Sequence, residues 1–281
     1  MRLPMRRLVP GGLALVAAVL CSSCTRPREP VAPVGPSFTA MTFNINWGGY
    51  RADLSARAIL ESGADVICLQ ETTPAWEGYL RPLLAARYPH ALFRHGRGAG
   101  GMAVFSRWPV REVARATPPA GWFFGWVLAV GTPAGEIQVL SVHLRPSLSD
   151  TGGVSIGAYF AASGRRLEEI KFLNGLLEPG KPTLVLGDFN ESDGGSAVEW
   201  LVGRGFTDAL REFDPKSDTW RWPTRFWTFE DRLDHVLYSP ELFCCRAAVV
   251  KAGASDHLPV LAVFESAGVR QRLAAGARAV R

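Results

Sequence analysis

Hydrophobic positions in this chain fall mostly in short runs of four to nine residues, bounded by Gly, Pro and polar clusters. Runs of that length, rich in Val, Ile, Leu and Phe, read as β-strands. They predict eleven strands, at 38–45, 65–69, 91–94, 102–105, 110–114, 122–130, 137–144, 183–187, 233–238, 247–251 and 260–264. Three stretches repeat at helical spacing instead. Residues 53–62 end at Gly63, and residues 74–88 open on Pro74, a residue suited to a helix start. Residues 165–177 carry Leu167, Ile170, Leu173, Leu176 and Leu177 on one stripe, and Pro179-Gly180 ends them.

Eleven strands strain a single open sheet, so two sheets packed face to face are expected. Leu184-Val185-Leu186 is apolar on both faces of its strand. A sheet covered on both sides produces that pattern, which puts helices on the outside. Residues 38–266 show no internal repeat and no long linker, so they are read as one α/β domain.

The start of the chain reads differently. Arg2, Arg6 and Arg7 precede Leu8–Leu20, thirteen uncharged and mostly apolar residues. As a helix these span about 20 Å, short of a ~30 Å hydrocarbon core. Residues 1–23 therefore read as a signal peptide. The sequence Leu20-Cys21-Ser22-Ser23-Cys24 resembles a bacterial lipoprotein processing site, with Cys24 lipidated and anchoring the protein to a membrane, facing the periplasm or cell exterior. Cys21 stands where Leu is usual, which leaves cleavage without lipid as the alternative. Residues 24–37 carry Pro27, Pro30, Pro33 and Pro36 and read as an extended linker, and 267–281 as a flexible basic tail.

Locating the charge changes its meaning. The whole chain is +5, but residues 38–266 hold 22 Lys and Arg against 25 Asp and Glu, a net −3. The basic excess belongs to the ends, so it does not mark the body as a non-specific nucleic-acid binder. Five cysteines are too few for a disulfide scaffold. Cys68 sits in an apolar run, and the neighbours Cys244 and Cys245 point to opposite faces of a strand, so no essential disulfide is expected. The Cys and His spacing does not fit zinc.

Candidate chemistry collects at strand ends. Asn44, Glu71, His143, Asp188 and Asn190 each follow an apolar run, as does Asp234 in Arg232-Leu-Asp-His, with Asp256 and His257 in Ser255-Asp-His. Singly, such residues are turn formers or core groups more often than catalysts. Together, carboxylate, amide and imidazole suit phosphate-ester chemistry with a hard cation. The phosphodiester is anionic, so hydrolysis needs charge neutralisation and a base or positioner for water.

This ordered set, with Gly187-Asp-Phe-Asn190 and Ser255-Asp-His257 as its most specific parts, closely resembles the endonuclease/exonuclease/phosphatase superfamily over residues 38–264. The resemblance implies a four-layer α/β sandwich like deoxyribonuclease I, with two mainly antiparallel sheets, and a Mg²⁺- or Mn²⁺-dependent phosphoesterase. It implies Glu71 as principal metal ligand, with Asn44 beside the metal and Asp256 as a further metal- or phosphate-site carboxylate. Asp188 would activate water, Asn190 would hold a phosphoryl oxygen or the nucleophile, and His257, oriented by Asp234, would bind the phosphate. His143 would contact the phosphate or assist the leaving oxygen. One position departs: the apurinic branch has Asn-x-Asp where this chain has Asn44-Ile45-Asn46, which weakens the case for that branch and for a second metal.

Around these residues, Arg145 should face the same way as His143 and reads either as a phosphate contact or as a surface arginine. His235 should face away from Asp234 and reads as structural, as do His90 and His95. Residues 147–164 form a long Gly- and Ser-rich connection. Residues 219–229 interleave Trp220, Trp222, Phe226, Trp227 and Phe229 with Arg221 and Arg225. This arrangement stacks bases, dips into lipid headgroups or plugs a core. Trp222 and Arg225 are its candidate substrate contacts. A phosphodiesterase such as a nuclease is the leading expectation. Phosphomonoesterase, sphingomyelinase-like lipid phosphodiesterase and non-catalytic binding lipoprotein are the alternatives. No obligate protein partner is implied.

Overall fold

The computed structural model describes residues 26–119, 121–147, 156–223, 225 and 227–279. The signal peptide at 1–23, the lipid site at Cys24 and the aromatic Phe226 lie outside the described residues.

Alternation along the strands builds the layers. In β1 (Ser37–Asn44), Phe38 and Ala40 face one way and Met41 and Phe43 the other. Two six-stranded mixed sheets result. The first runs β13 (Leu242–Val249), β14 (Val260–Ser266), β1, β2 (Val66–Gln70), β4 (Met102–Ser106), β3 (His90–Arg94). The second runs β5 (Val110–Ala116), β6 (Gly125–Thr132), β7 (Gly135–His143), β8 (Thr183–Asp188), β12 (Asp234–Tyr238), β9 (Thr207–Asp208). Each sheet has one parallel pairing, β1 with β2 and β7 with β8, and is otherwise antiparallel.

Between the sheets lies a core that includes Phe38, Val104, Trp126, Leu128, Leu184, Leu186 and Phe264. The opposite parity packs outward. Met41, Phe43 and Ile67 meet Ile59 of α1 (Ala52–Glu61) and Trp76, Leu80 and Leu84 of α2 (Pro74–Leu84). On the far side, Val185 and Leu237 meet Ile170 and Leu173 of α3 (Ile156–Asn174) and Val198 and Leu201 of α4 (Ser196–Val202). This is the four-layer sandwich expected, because side chains of both parities need cover.

Several elements differ from their sequence readings. Helix α3 begins at Ile156, so the second half of the 147–164 connection is helical. Strand β6 starts at Gly125, where any larger side chain would overlap Leu173 of α3. Helices α4 and α5 (Ala209–Phe213) are too short to show a repeating stripe. The basic tail is not free: it forms α6 (Ala267–Ala279), with Arg270 paired to Glu265 and lying 4.0 Å over Phe243. The proline-rich segment is also tied down from residue 28, by an Arg28–Glu212 ion pair and a Val31 N–H bond to the Cys245 carbonyl of 2.9 Å. Cys68, Cys244 and Cys245 are buried free thiols. No helix among the described residues is long and apolar enough to cross a membrane.

Candidate active site

Strand register assembles the site. Asn44 pairs with Gln70 at the ends of β1 and β2, and Asp188 pairs with both His143 and Asp234. Strands of both sheets therefore deliver polar residues to one end of the sandwich. Asn44 joins the two halves, its amide donating to Glu71 Oε1 and to Asp188 Oδ2, each at 3.0 Å. Its oxygen accepts from Asn46 N at 3.1 Å, so Asn44 positions two carboxylates.

Asp188 is the hub. Its Oδ1 accepts from Asn190 N at 2.8 Å. Its Oδ2 stands 3.5 Å from His143 Nε2 and 3.6 Å from His257 Nε2. Burial raises the Asp188 pKa, against the pull of the His257 charge. The two imidazoles are driven apart. Burial, reinforced by the His257 charge, pushes His143 down to about 4 despite Asp188. Burial works against His257 as well, but Asp234 and Asp188 hold it up at about 10. At neutral pH the site thus offers one neutral and one cationic imidazole.

Backbone strain is concentrated here. Four described non-glycine residues have positive φ, and three of them, Asn46, Glu71 and Asn190, line the site. The turn at Glu71, φ 62°, swings its carboxylate out of β2, where Oε2 accepts from Trp47 N at 3.0 Å. Burial raises the Glu71 pKa, and nearby Asp256 adds to it. Asp256 is held by Asn46 Nδ2 at 2.9 Å and by the Trp220 indole at 3.3 Å. A carboxylate at position 46 would repel Asp256, and the amide found there bonds to it instead.

These donors fit a hard divalent cation. Glu71, just past β2, and Asp256, in the loop before β14, would supply oxygen ligands, and a cation would offset the desolvation of Glu71. Asp188, Asp234 and His257 also lie close enough to hold an ion. His257 is cationic in that group and donates to Asp234, so it suits a phosphate rather than a metal.

Asn190 is partly occupied, its amide donating to the Leu144 carbonyl at 2.9 Å. Arg145 is buried and lies 4.2 Å over Trp122, while Phe123 stacks on His143 at 4.1 Å. The dipeptide Trp122-Phe123 is thus a shelf under the residue pair leaving β7. Trp222 and Arg225 lie outside the cluster, on an exposed hairpin. His235 is buried between Asp208 Oδ2 at 2.6 Å and the Glu191 carbonyl at 2.9 Å, away from Asp234.

Sequence reasoning missed the support behind Arg145. Glu169 accepts from its N–H at 2.9 Å, and Arg166 donates to its carbonyl at 3.2 Å while pairing with Glu191 at 3.1 Å. Charged residues inside the periodic stripe of α3 were the available signal.

Solved structures share this architecture. The endonuclease/exonuclease/phosphatase from Beutenbergia cavernae superposes with a TM-score of 0.63 at 20% identity, over 82% of this chain and 72% of that one. A 3′ phosphatase from Neisseria bound to a product DNA hairpin gives 0.61 at 19%, over 80% and 98%. An AP endonuclease from Archaeoglobus fulgidus gives 0.60 at 18%, over 81% and 99%. No curated protein matches the chain in sequence. The model of the endonuclease/exonuclease/phosphatase family matches residues 41–257, which spans Asn44 through His257, and the chain belongs to that family.

Proposed function

We propose that this chain is an exported, Mg²⁺- or Mn²⁺-dependent phosphodiesterase that works by in-line attack of water. Its family makes it a hydrolase of phosphate ester bonds. The observation that carries the reading is the convergence on Asp188 Oδ2 of Asn44, His143 and His257, within 3.0–3.6 Å. Asp188, its carboxylate desolvated, takes the proton from water. His257 stays cationic through Asp234 and binds a phosphoryl oxygen. His143, neutral and stacked on Phe123, contacts the phosphate from the β7 side. Asn190 accepts from the attacking water or contacts a phosphoryl oxygen, and Arg145 binds the phosphate beside His143. Glu71 and Asp256 would hold the divalent cation, with Asn44 fixing Glu71, and it would supply charge neutralisation and Lewis acidity.

Asp188→Ala, Glu71→Ala and His257→Ala should each lower hydrolysis by orders of magnitude while the fold persists. Retained activity in Asp188→Ala would sink the assignment. Nucleic acid, sphingomyelin, phosphoinositides and small phosphoesters, assayed side by side with and without EDTA, identify the substrate. Export and lipid attachment rest on the 1–24 sequence, and mass spectrometry of the native N-terminus checks for a diacylglyceryl Cys24.

A further inference from the structure

Residues 28–35 do not hang from the domain. They run along β13, an edge strand of the first sheet. The Arg28 N–H donates to the Glu212 carbonyl at 2.8 Å, and the Val31 N–H to the Cys245 carbonyl on β13 at 2.9 Å. The N–H groups of Val34 and Gly35 both donate to Glu265 Oε2, at 2.9 and 3.0 Å. Gly35 lies so close to α6 that a Cβ on it would overlap Val269. The Phe243 ring takes both Arg28, at 4.4 Å, and Arg270, at 4.0 Å. The proline-rich strap and the C-terminal helix thus make one clasp.

This clasp closes the end of the sandwich opposite the catalytic cluster. Phe243 is the register partner of Glu265, and Glu265 of Ser37, the first residue of β1. Asn44 is the last of its 8 residues, so the two ends of β1 are about 23 Å apart. The catalytic end also carries the hairpin of β10 (Trp220–Pro223) and β11 (Thr228–Asp231), tied to His257 by a bridge from Trp220.

Basic charge collects at the clasp. Residues 267–281 hold four Arg and no Asp or Glu. Glu212 and Glu265 are engaged by Arg28 and Arg270, and Glu29 lies 4.0 Å from Arg26. Glu241 then stands against exposed Arg246 and Arg272 and the two arginines that follow in sequence. Leu273, next to Arg272, is 47% exposed. Cys24 precedes Arg28 by four residues, so at most about 14 Å of chain separates them.

We propose that the strap at 28–35 and α6 form a surface for the anionic phospholipid headgroups of the membrane that holds Cys24, so that the catalytic cluster faces away from that bilayer. This rests on the exported, lipid-anchored reading above. The short tether keeps the body at the membrane, and the α6 arginines select the end that meets it. Arginines near an anionic surface act only within a Debye length of about 8–10 Å, which the catalytic end lies beyond. Acyl anchors of lipoproteins are reinforced by basic patches of this kind. A phosphoester substrate then arrives from the aqueous side and not from the anchoring leaflet.

The test uses the mature chain, residues 24–281. Lipidated protein is placed in vesicles whose headgroups carry a nitroxide, a contact-range quencher. A fluorophore sits at Gln271→Cys on α6 or at Tyr50→Cys, in the 75% exposed position past β1. Cys68, Cys244 and Cys245 are buried and leave the new thiol to the dye. Strong quenching at 271 and little at 50 is expected. Equal quenching, or the reverse, overturns the orientation. Cys24→Ser protein is then sedimented with phosphatidylcholine vesicles, with and without phosphatidylglycerol, with circular dichroism as the folding control. Binding should need phosphatidylglycerol, weaken with salt, and fall roughly 5-fold in Arg272→Gln. Arg221→Gln, at the catalytic end, should leave it unchanged. Binding indifferent to phosphatidylglycerol, or lowered as much by Arg221→Gln as by Arg272→Gln, overturns the surface. The sedimentation needs neither lipid on Cys24 nor turnover. An unmodified native Cys24 therefore sinks the anchor alone, and absence of turnover on any phosphoester the phosphodiesterase reading alone.

Discussion

His257 Nδ1 lies 2.8 Å from Asp234 Oδ2, and that bond aims the ring and, together with the Asp188 carboxylate, keeps it charged. The Asp234 N–H and the Leu233 N–H share Thr219 Oγ1 at 3.0 Å, which fixes the carboxylate at the start of β12. Nε2 is left pointing at Asp188. Asp234→Asn keeps the shape and removes the charge. We expect kcat to fall about 100-fold or more with a smaller change in KM. In wild type His257 is held up at about 10, so activity that needs its cation is lost only as pH rises through that value. The alkaline limb of the pH–rate profile should move to lower pH in Asp234→Asn. A limb that stays in place would show that Asp234 does not set this charge.

Arg166 and Glu191 form an ion pair that is almost wholly out of solvent, at 3.1 Å. Glu191 also accepts from Ala197 N at 2.6 Å and Val198 N at 3.0 Å at the start of α4. Arg166→Ala would strand a buried carboxylate and release the Arg145 carbonyl. Losing one partner of such a pair typically costs about 3–5 kcal/mol, far more than an exposed pair such as Arg57–Glu61 contributes. Urea denaturation of Arg166→Ala and Arg57→Ala makes the comparison, and near-equal losses would contradict it.

The strand-end residues were legible because two simple rules coincide. Apolar residues of both parities in 38–45 and 183–187 mark both faces as buried, and the polar residue that breaks each run then has only the strand end to occupy. Asn44 and Asp188 are found there, bonded across the sheets. His235 was legible by the same parity. Parity says nothing about partners distant in sequence. Glu169 reaches Arg145 across 24 residues, and Asn46 reaches Asp256 across 210, so neither contact has a local signature. The register of the 219–229 hairpin was hidden for another reason: both of its strands are mostly exposed, and hydrophobic periodicity reports only burial.

Gly187 has φ 146°, and a Cβ there would overlap the Val142 carbonyl oxygen. These two residues are register partners across the parallel β7–β8 pair, immediately before His143 and Asp188. Gly187→Ala must therefore push the strands apart or rotate the backbone just ahead of the hub carboxylate. We expect a loss of several kcal/mol of stability, the range for a side chain forced into a glycine-only conformation in a packed core. Activity measured well below the melting temperature should also fall, because the displacement reaches Asp188. Wild-type stability in Gly187→Ala would mean that β7 and β8 tolerate a wider spacing.

Glu169 gives a pH dependence outside the catalytic cluster. Burial pushes its carboxyl up to about 7, only partly offset by the Arg145 N–H bond and by the Arg145 and Arg166 charges. One of its oxygens, Oε1, is buried without a hydrogen-bond partner. An acid whose folded value is raised keeps its proton longer in the folded than in the unfolded chain. Stability therefore falls as pH rises from about 4.5, the ordinary value, to about 7, and is level above that. The full effect is at most about 3 kcal/mol. Glu169→Gln keeps an acceptor for Arg145 N and removes the titration. Urea unfolding at pH 5, 6, 7 and 8 should show the variant gaining on wild type by up to about 2–3 kcal/mol between the lowest and highest pH. A gap that does not change across that range would mean Glu169 ionises in the folded protein as easily as it does in the unfolded chain, with Arg145 and Arg166 offsetting the whole desolvation.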